Sequence, residues 1–321
     1  MAKGFYVGID VGGTKIAAAV VAPDGEILGR EKASTPRGRG ASVILDAIVE
    51  VVEDALRDAD VKPRKLKALG VGVPGIVDAV GGRVVAAPNI PIAGAPIAAF
   101  LKRRFDVPVT LGNDVNIGVL GERWLGAGRG VDDMVGVFPG TGVGGGVVCG
   151  GRLLTGAHGA AAELGHITLN PGGPLCGCGA RGCLEAYASR RAIERDLREG
   201  ARGGRPTRIA ELNGGRLDVI KSRVLAEALR LGDPLVVEVM RAAAERLGEG
   251  CVAIRHCFDP ELIVLGGGLI EACGGFILPI VRERLAADPL FRRVGPCRVK
   301  PSELGDDAVI LGAVALARAT R

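Results

Sequence analysis

Phe5-Tyr6-Val7-Gly8-Ile9-Asp10-Val11-Gly12-Gly13-Thr14-Lys15-Ile16-Ala17-Ala18-Ala19-Val20-Val21-Ala22 is the stretch whose reading decides the fold. Phe5 to Asp10 and Lys15 to Ala22 are short β-rich runs, joined by Val11-Gly12-Gly13-Thr14 and ended by Pro23-Asp24-Gly25. They read as strand, glycine turn, strand, with the carboxylate of Asp10 at the end of the first strand. A second copy follows: Val135 to Phe138, then Gly140-Thr141-Gly142-Val143-Gly144-Gly145-Gly146, then Val147-Val148, closing at Gly150-Gly151. Gly13-Thr14 and Val20-Val21 keep the spacing of Gly140-Thr141 and Val147-Val148. Two related lobes are therefore expected, each presenting a glycine turn to a shared cleft.

Working outward, Ser42 to Ala59 carries apolar residues at helical spacing, and Ala68 to Val73 reads as a buried strand stopped by Pro74-Gly75. Alternating strands and helices imply a mostly parallel sheet with crossovers, an α/β fold. Beyond the second hairpin, Leu184 to Glu199, Leu217 to Leu231 and Pro234 to Cys257 read as helices, the last opened by an Asp233 cap and Pro234 at its first position. Glu261 to Leu265 is a further strand running into Gly266-Gly267-Gly268, and Asp306 to Ala317 a helix expected to pack back on the first lobe. The expected division is an N-terminal lobe over residues 1–117, joined by the returning helix at 305–321, and a C-terminal lobe over residues 118–304.

At 321 residues two domains are the natural expectation. Aromatics are only 3% against 52 glycines, so the cores must be built from Val, Ile, Leu and Ala between tight turns, which excludes fibrous and disordered classes. The net charge of +5 comes from 41 basic and 36 acidic residues interspersed along the chain, too weak and dispersed to imply nucleic acid. The one dense basic run, Lys62-Pro63-Arg64-Lys65-Leu66-Lys67, reads as a solvated loop. No charged segment followed by an apolar one precedes the first strand, so a cytoplasmic location is expected. The uncharged stretches Val84 to Leu101 and Val135 to Gly151 are interrupted by Pro88, Pro91 and Pro96 or crowded with glycine, and neither reads as a membrane span. Eight cysteines in a cytosolic chain point to metal or buried thiols before disulfides.

The bare N–H groups around Gly12 and Gly13 can approach phosphate closely, with Thr14 and Lys15 adding a hydroxyl and a cation. Taken alone, the turn could equally be a plain hairpin. No GxxxxGK[ST] spacing occurs, and a strand rather than a helix follows, which weakens a Rossmann reading. Two such cradles, the second at Gly140 to Gly146, fit a polyphosphate tail. Asp114, after Asn113 in Leu111-Gly112-Asn113-Asp114-Val115-Asn116, should sit at a strand's C-terminal end, where a kinase needs a carboxylate to take the proton of the attacking hydroxyl. A helix-capping role is the alternative. His166, Cys176, Cys178 and Cys183 form a closed tetrahedral set for structural zinc, wrapped by Gly177, Gly179 and Gly182; the alternative is a loop of reduced thiols. Cys149, Cys251, Cys257, Cys273 and Cys297 read as core residues, and His158 and His256 as structural. Glu163 and Glu185 flank the metal loop, and Asn89 sits in a proline-stiffened loop, so acceptors and an amide suited to a polyhydroxy substrate converge.

Together Asp10 to Lys15, Gly72-Val73-Pro74-Gly75, Asn113-Asp114, Gly140 to Gly146, Glu163-Leu164-Gly165-His166, Cys176 to Cys183 and Leu265-Gly266-Gly267-Gly268 resemble the ROK family (repressors, open reading frames, kinases), in order and over nearly the whole chain. Leu175 to Cys178 and Gly182 to Ser189 look most like its bacterial glucokinase branch. The resemblance implies an actin-like, two-lobed fold of the hexokinase (ribonuclease-H-like) superfamily with a central cleft, and ATP-dependent phosphorylation of a hexose, glucose first, at its 6-hydroxyl. It implies that Gly8 to Lys15, with Asp10, Gly12, Gly13, Thr14 and Lys15, and Gly140 to Val147, with Gly140, Thr141, Gly142 and Gly144, line the ATP phosphates. Gly266, Gly267 and Gly268 would border adenosine. Gly75, Asn89, Asn113, Asp114, Glu163, His166 and Glu185 would contact sugar, Asp114 as the base and His166 serving zinc and sugar with one ring nitrogen each. It further implies Mg²⁺ with ATP, structural Zn²⁺ and a homodimer or homotetramer. Gly112 departs from the acidic residue many members carry before the catalytic pair.

The rival from another class is a sugar-responsive repressor on the same fold, which would carry a helix-turn-helix ahead of the first hairpin, where here Asp10 arrives almost at once. A non-catalytic sugar-binding protein would not need Asp114 with both phosphate turns. Among acceptors, N-acetylglucosamine, N-acetylmannosamine, mannose and fructose stay open, as do donors such as polyphosphate, because hexose epimers differ by single hydroxyls.

Overall fold

The computed structural model describes residues 4–38, 40–87 and 90–319. In chain order the first elements are β1 (Phe5–Val11), β2 (Lys15–Val21), β3 (Ile27–Ser34), α1 (Ala41–Asp58), β4 (Leu66–Val73), β5 (Ile76–Asp78), β6 (Arg83–Ala86), α2 (Ile97–Phe105), β7 (Val109–Asn113) and α3 (Asp114–Leu125). There follow β8 (Met134–Pro139), β9 (Val143–Cys149), β10 (Arg152–Leu153), α4 (Glu185–Ala188), α5 (Arg190–Arg202), α6 (Ile209–Leu212), α7 (Ser222–Arg230), α8 (Pro234–Phe258), β11 (Leu262–Leu265), α9 (Gly268–Ala286), β12 (Arg298–Pro301) and α10 (Ala308–Ala319). They form two compact units. One holds the chain up to Gly130, Gly146–Ala162 and everything from Asp306; the other holds Val131–Gly145 and Glu163–Gly305. Residue 117 lies inside α3, which packs on α10 within the first unit.

The first unit is built on a sheet of order β3-β2-β1-β4-β7. β1 runs antiparallel to β2 and parallel to β4, and β4 runs parallel to β7. The register sets Asp10 beside Gly72, and Gly72 beside Gly112, so the C-terminal ends of β1, β4 and β7 finish level. One sheet face packs on α1 and α2, with Ile44, Ile48, Ile97 and Leu101 fully buried against Ile9, Leu69 and Val71; each such side chain contributes about 1.5–3 kcal/mol of burial. The other face receives α10, which lies so close that a Cβ on Gly8 or Gly70 would strike the carbonyls of Ile310 and Ala313.

The second unit repeats the pattern with a sheet of order β10-β9-β8-β11-β12, in which β8, β11 and β12 are parallel and β9 and β10 antiparallel. The two hairpins expected from their glycine turns are thus the first strand pairs of two sheets of equivalent order. The helix expected over Leu184 to Glu199 is two: Ser189 is extended and its Oγ accepts the Ala192 N–H (3.2 Å), which ends α4 and starts α5. The helix expected from Leu217 begins only at Ser222, because the carbonyls of Leu217 and Asp218 accept from Arg198 instead of from a helical turn. α8 carries the expected Asp233 cap, accepting from the Val236 N–H at 3.0 Å. Cys149 and Cys257, expected in the core, are exposed: Cys149 ends β9 at a turn, and Cys257 lies on the solvent side of the last turn of α8. Cys251 and Cys273 are buried and Cys297 partly so. His256 pairs with Asp288 (2.8 Å) and stacks on Phe291, while His158 lies exposed in a loop. Among the described residues no helix is long and apolar enough to cross a membrane.

Candidate active site

In the first unit the predicted residues gather where β1, β4 and β7 end. The turn after β1 is rigid: the Gly12 N–H donates to Lys15 O (2.8 Å), and Thr35 donates from Oγ1 to Gly12 O (2.6 Å) and from its N–H to Thr14 O (3.1 Å). Gly12 therefore spends its own amide internally. The Gly13 and Thr14 amides, both exposed, make no hydrogen bond among the described residues and are the ones left to meet an anion. Lys15 Nζ donates to Asp306 Oδ2 at 2.8 Å. The Asp10 carboxyl is pushed up from 3.8 to about 6, first by burial and then by the charge of Asp114, with Asp306 adding to the rise and Lys15 opposing it. Four groups from β1, β2, α3 and the lead-in to α10 thus share one electrostatic neighbourhood.

Asp114 is the first residue of α3, and the capping alternative falls to its neighbour. Asn113 Oδ1 accepts the Asn116 N–H (3.0 Å), while Asn113 Nδ2 donates to Gly75 O (3.0 Å). The Asp114 carboxylate is half-exposed and accepts from the Val115 N–H through Oδ1 (2.9 Å). Asn89 lies outside the described residues. Asn116, which no motif singled out, is 7% exposed, and its Oδ1 has no hydrogen-bond partner.

In the second unit the glycine turn after β8 is held from several directions. Gly140 donates to Gly142 O (2.8 Å), and Arg190 at the start of α5 donates from its N–H to Gly140 O (2.8 Å) and from Nη2 to Thr141 Oγ1 (2.9 Å). Glu185 Oε2 accepts the Val143 N–H (2.9 Å), and its Oε1 accepts from Cys176 Sγ (3.5 Å). The residue expected at the sugar therefore also ties the phosphate turn to the cysteine loop, which spacing alone could not reveal. Glu163 is exposed and shares one turn with His166, whose N–H donates to Glu163 O at 2.9 Å.

The four predicted metal ligands come together: one donor atom from each of His166, Cys176, Cys178 and Cys183 lies within 4.8 Å of the others. Cys178 Sγ to Cys183 Sγ is 3.8 Å, and Cys176 Sγ to His166 Nδ1 is 3.6 Å. Ideal tetrahedral zinc bonds would set those edges at about 3.8 Å for two sulfurs and about 3.6 Å for sulfur and nitrogen. The loop is closed by Cys176 N–H to Ala180 O (2.8 Å) and by Gly182, whose φ of +74 and contact with Asn170 O leave no room for a side chain. Burial pushes the Cys176 thiol up to about 12, and the Ala180 N–H draws Cys178 down. Gly266 to Gly268 link β11 to α9, beside a cavity of about 360 Å³ lined by Gly266, Ile270, Glu271, Gly275, Pro301 and Ser302. A larger groove of about 570 Å³, bordered by Arg57, Asp60 and Arg104, contains none of the predicted residues.

The chain is 37% identical over 317 residues to a glucokinase of Thermotoga maritima, covering 98% of each. Among solved structures it is similar to a ROK family glucokinase from Streptomyces griseus determined with glucose and AMPPNP (37% identity, TM-score 0.82, 98% of this chain and 100% of that one). It is likewise similar to a ROK hexokinase from Thermus thermophilus (35% identity, TM-score 0.83, 98% of each chain). With the ROK family model matching residues 6–320, the chain belongs to the ROK family.

Proposed function

We propose that the protein is an ATP-dependent glucokinase that transfers the γ-phosphoryl group of ATP to the 6-hydroxyl of glucose. The observation that carries this reading is the full-length likeness to glucokinases at 37% identity, in a chain that keeps Asp114 at the end of β7 beside its cap Asn113. Asp114 acts as the base: it takes the proton of the 6-hydroxyl as that oxygen bonds to the γ-phosphorus and the bond to the β–γ bridging oxygen breaks, releasing ADP. The free Gly13 and Thr14 amides and Lys15 hold phosphate oxygens from one turn, and Gly140 to Gly144 from the other. Mg²⁺ carried with ATP would neutralise charge on the transferring phosphate, and Asp10 is the carboxylate that would hold it. Gly75, Asn89, Asn113, Glu163, His166 and Glu185 recognise sugar hydroxyls, and Gly266 to Gly268 with the adjoining cavity take adenosine.

Zinc fits the His166, Cys176, Cys178 and Cys183 set, two of whose edges, Cys178 to Cys183 and Cys176 to His166, have the lengths of a zinc tetrahedron. All four positions are filled by protein, so the ion supplies structure and no activated water. With Nδ1 facing the cysteines, His166 keeps Nε2 for a sugar hydroxyl. The same reading carries a cytoplasmic location, a homodimer or homotetramer and no nucleic-acid partner. A panel of glucose, mannose, fructose, N-acetylglucosamine and N-acetylmannosamine, with ATP and with polyphosphate as donors, tests it: the highest kcat/KM is expected for glucose with ATP. An N-acetylated sugar or polyphosphate in first place would refute the assignment.

A further inference from the structure

Arg190 belongs to none of the motifs that point to the site, yet two of its contacts fall on the second glycine turn: backbone N–H to Gly140 O (2.8 Å) and Nη2 to Thr141 Oγ1 (2.9 Å). It is the first residue of α5, set by the Ser189 cap, so its place is fixed by the helix start. A guanidinium can only donate, whereas a hydroxyl carries one proton and two lone pairs. The Arg190 bond therefore occupies a lone pair of Thr141 and excludes an orientation in which the Thr141 proton points back at Arg190. Among the described residues that proton has no acceptor, so it is left for an acceptor outside the chain, water in the free protein and a phosphate oxygen when a nucleotide is bound.

The charge on Arg190 is answered by Glu194, whose Oε1 lies 3.5 Å from Arg190 Nε and also accepts the Ile220 N–H (2.9 Å). This pairing anchors the guanidinium from the side away from Thr141, so Nη2 is held on the Thr141 hydroxyl.

We propose that Arg190 is a positioning residue for the phosphate donor: it fixes the Thr141 hydroxyl as a hydrogen-bond donor to a phosphate oxygen of ATP. This rests on the kinase reading above. The test is steady-state kinetics with MgATP and glucose on wild type, Arg190→Ala, Arg190→Lys, Thr141→Val and the Arg190→Ala/Thr141→Val pair. Losing a charge-assisted bond of this kind should raise the ATP KM about tenfold in Arg190→Ala, with the glucose KM unchanged. Arg190→Lys, also donor-only, should recover most of the loss. In the Thr141→Val background, removing Arg190 should cost less than about threefold more, because the two act as a unit. Arg190→Gln replaces Arg190→Ala throughout if the alanine variant does not fold. An unaltered ATP KM, equal losses in both Thr141 backgrounds, or parallel rises in the ATP and glucose KM would each overturn the proposal. Wild-type protein without phosphotransfer would overturn the kinase reading and the donor role with it, whereas an active wild type with a silent Arg190→Ala refutes Arg190 alone.

Discussion

Removing the charge at Asp10 should stabilise the protein, and more so the higher the pH. The Asp10 carboxyl rises from 3.8 to about 6 in the folded chain, so the native state holds this proton more tightly than the unfolded one. Below 3.8 both states are protonated and the group contributes nothing. As pH rises towards 6 the unfolded chain releases the proton while the native one retains it, so stability falls; above 6 the loss is complete and constant. Linkage puts the loss at about 1.6 kcal/mol by pH 5 and about 3 kcal/mol by pH 8, as upper bounds. Asp10→Asn keeps the shape without the titration, so its stability relative to wild type should improve by about 1.4 kcal/mol between those two pH values. Any constant cost of losing the attraction to Lys15 would shift both points equally. Urea unfolding of both proteins at pH 5 and 8 without Mg²⁺ reads this directly. A difference that is flat with pH, or that shrinks as pH rises, would show that the burial of Asp10 and its crowding by Asp114 and Asp306 do not carry the energy assigned to them.

Asp114→Asn retains the volume of the base but not its proton affinity, so kcat should fall by roughly 10²-fold or more while glucose binding by calorimetry survives; near-normal turnover would remove Asp114 from the mechanism. Elemental analysis should find about one zinc per chain, the number a single four-ligand site can hold. Cys178→Ser should lose the zinc and raise the glucose KM strongly, with a smaller change in the ATP KM; a metal-free, fully active preparation would contradict the zinc role. Fluorescence polarisation with duplex DNA at moderate salt should give only weak, salt-sensitive binding, and tight binding to one defined sequence would contradict the purely enzymatic reading.

What could be read from the sequence was carried by residues close together in the chain. Both hairpins are legible from periodicity and turn chemistry, but the second turn is shorter than the expected Gly140 to Gly146: it closes at Gly140 to Gly142, and Gly144 to Gly146 belong to β9, since glycine composition does not show where strand pairing begins. The His/Cys cluster is legible because its three cysteines lie within eight residues and the residue types that suit zinc are few. What could not be read depends on partners far along the chain: Lys15 and Asp306 are 291 residues apart, Thr141 and Arg190 49. The break at Ser189 is hidden because helical spacing continues on both sides of it, and it is set by a cap and by the Arg190 N–H turning to Gly140 O. Cys149 and Cys257 have apolar neighbours in sequence, but composition does not say which face of a strand or helix points to water.

The two units differ in how their equivalent turns are braced, and this gives a reason for a His/Cys cluster beside the second turn. Around Gly12 to Thr14 the brace is Thr35, a neutral residue at the end of β3, so the turn is held by the sheet itself. Around Gly140 to Val143 the brace is a carboxylate, Glu185, on a four-residue helix too short to hold its own position. Glu185 follows Cys183 by two residues, so the His/Cys cluster anchors the short helix that carries it through the chain itself; the contact of its second oxygen with Cys176 Sγ needs the protonated thiol. A preorganised turn costs no reorganisation when charge develops on phosphate. The cysteine loop is thereby linked to the Gly140 to Val143 turn through Glu185, while the turn that carries Glu163 and His166 enters the same cluster directly, so on the proposed zinc reading loss of the ion should disturb the second turn more than the first.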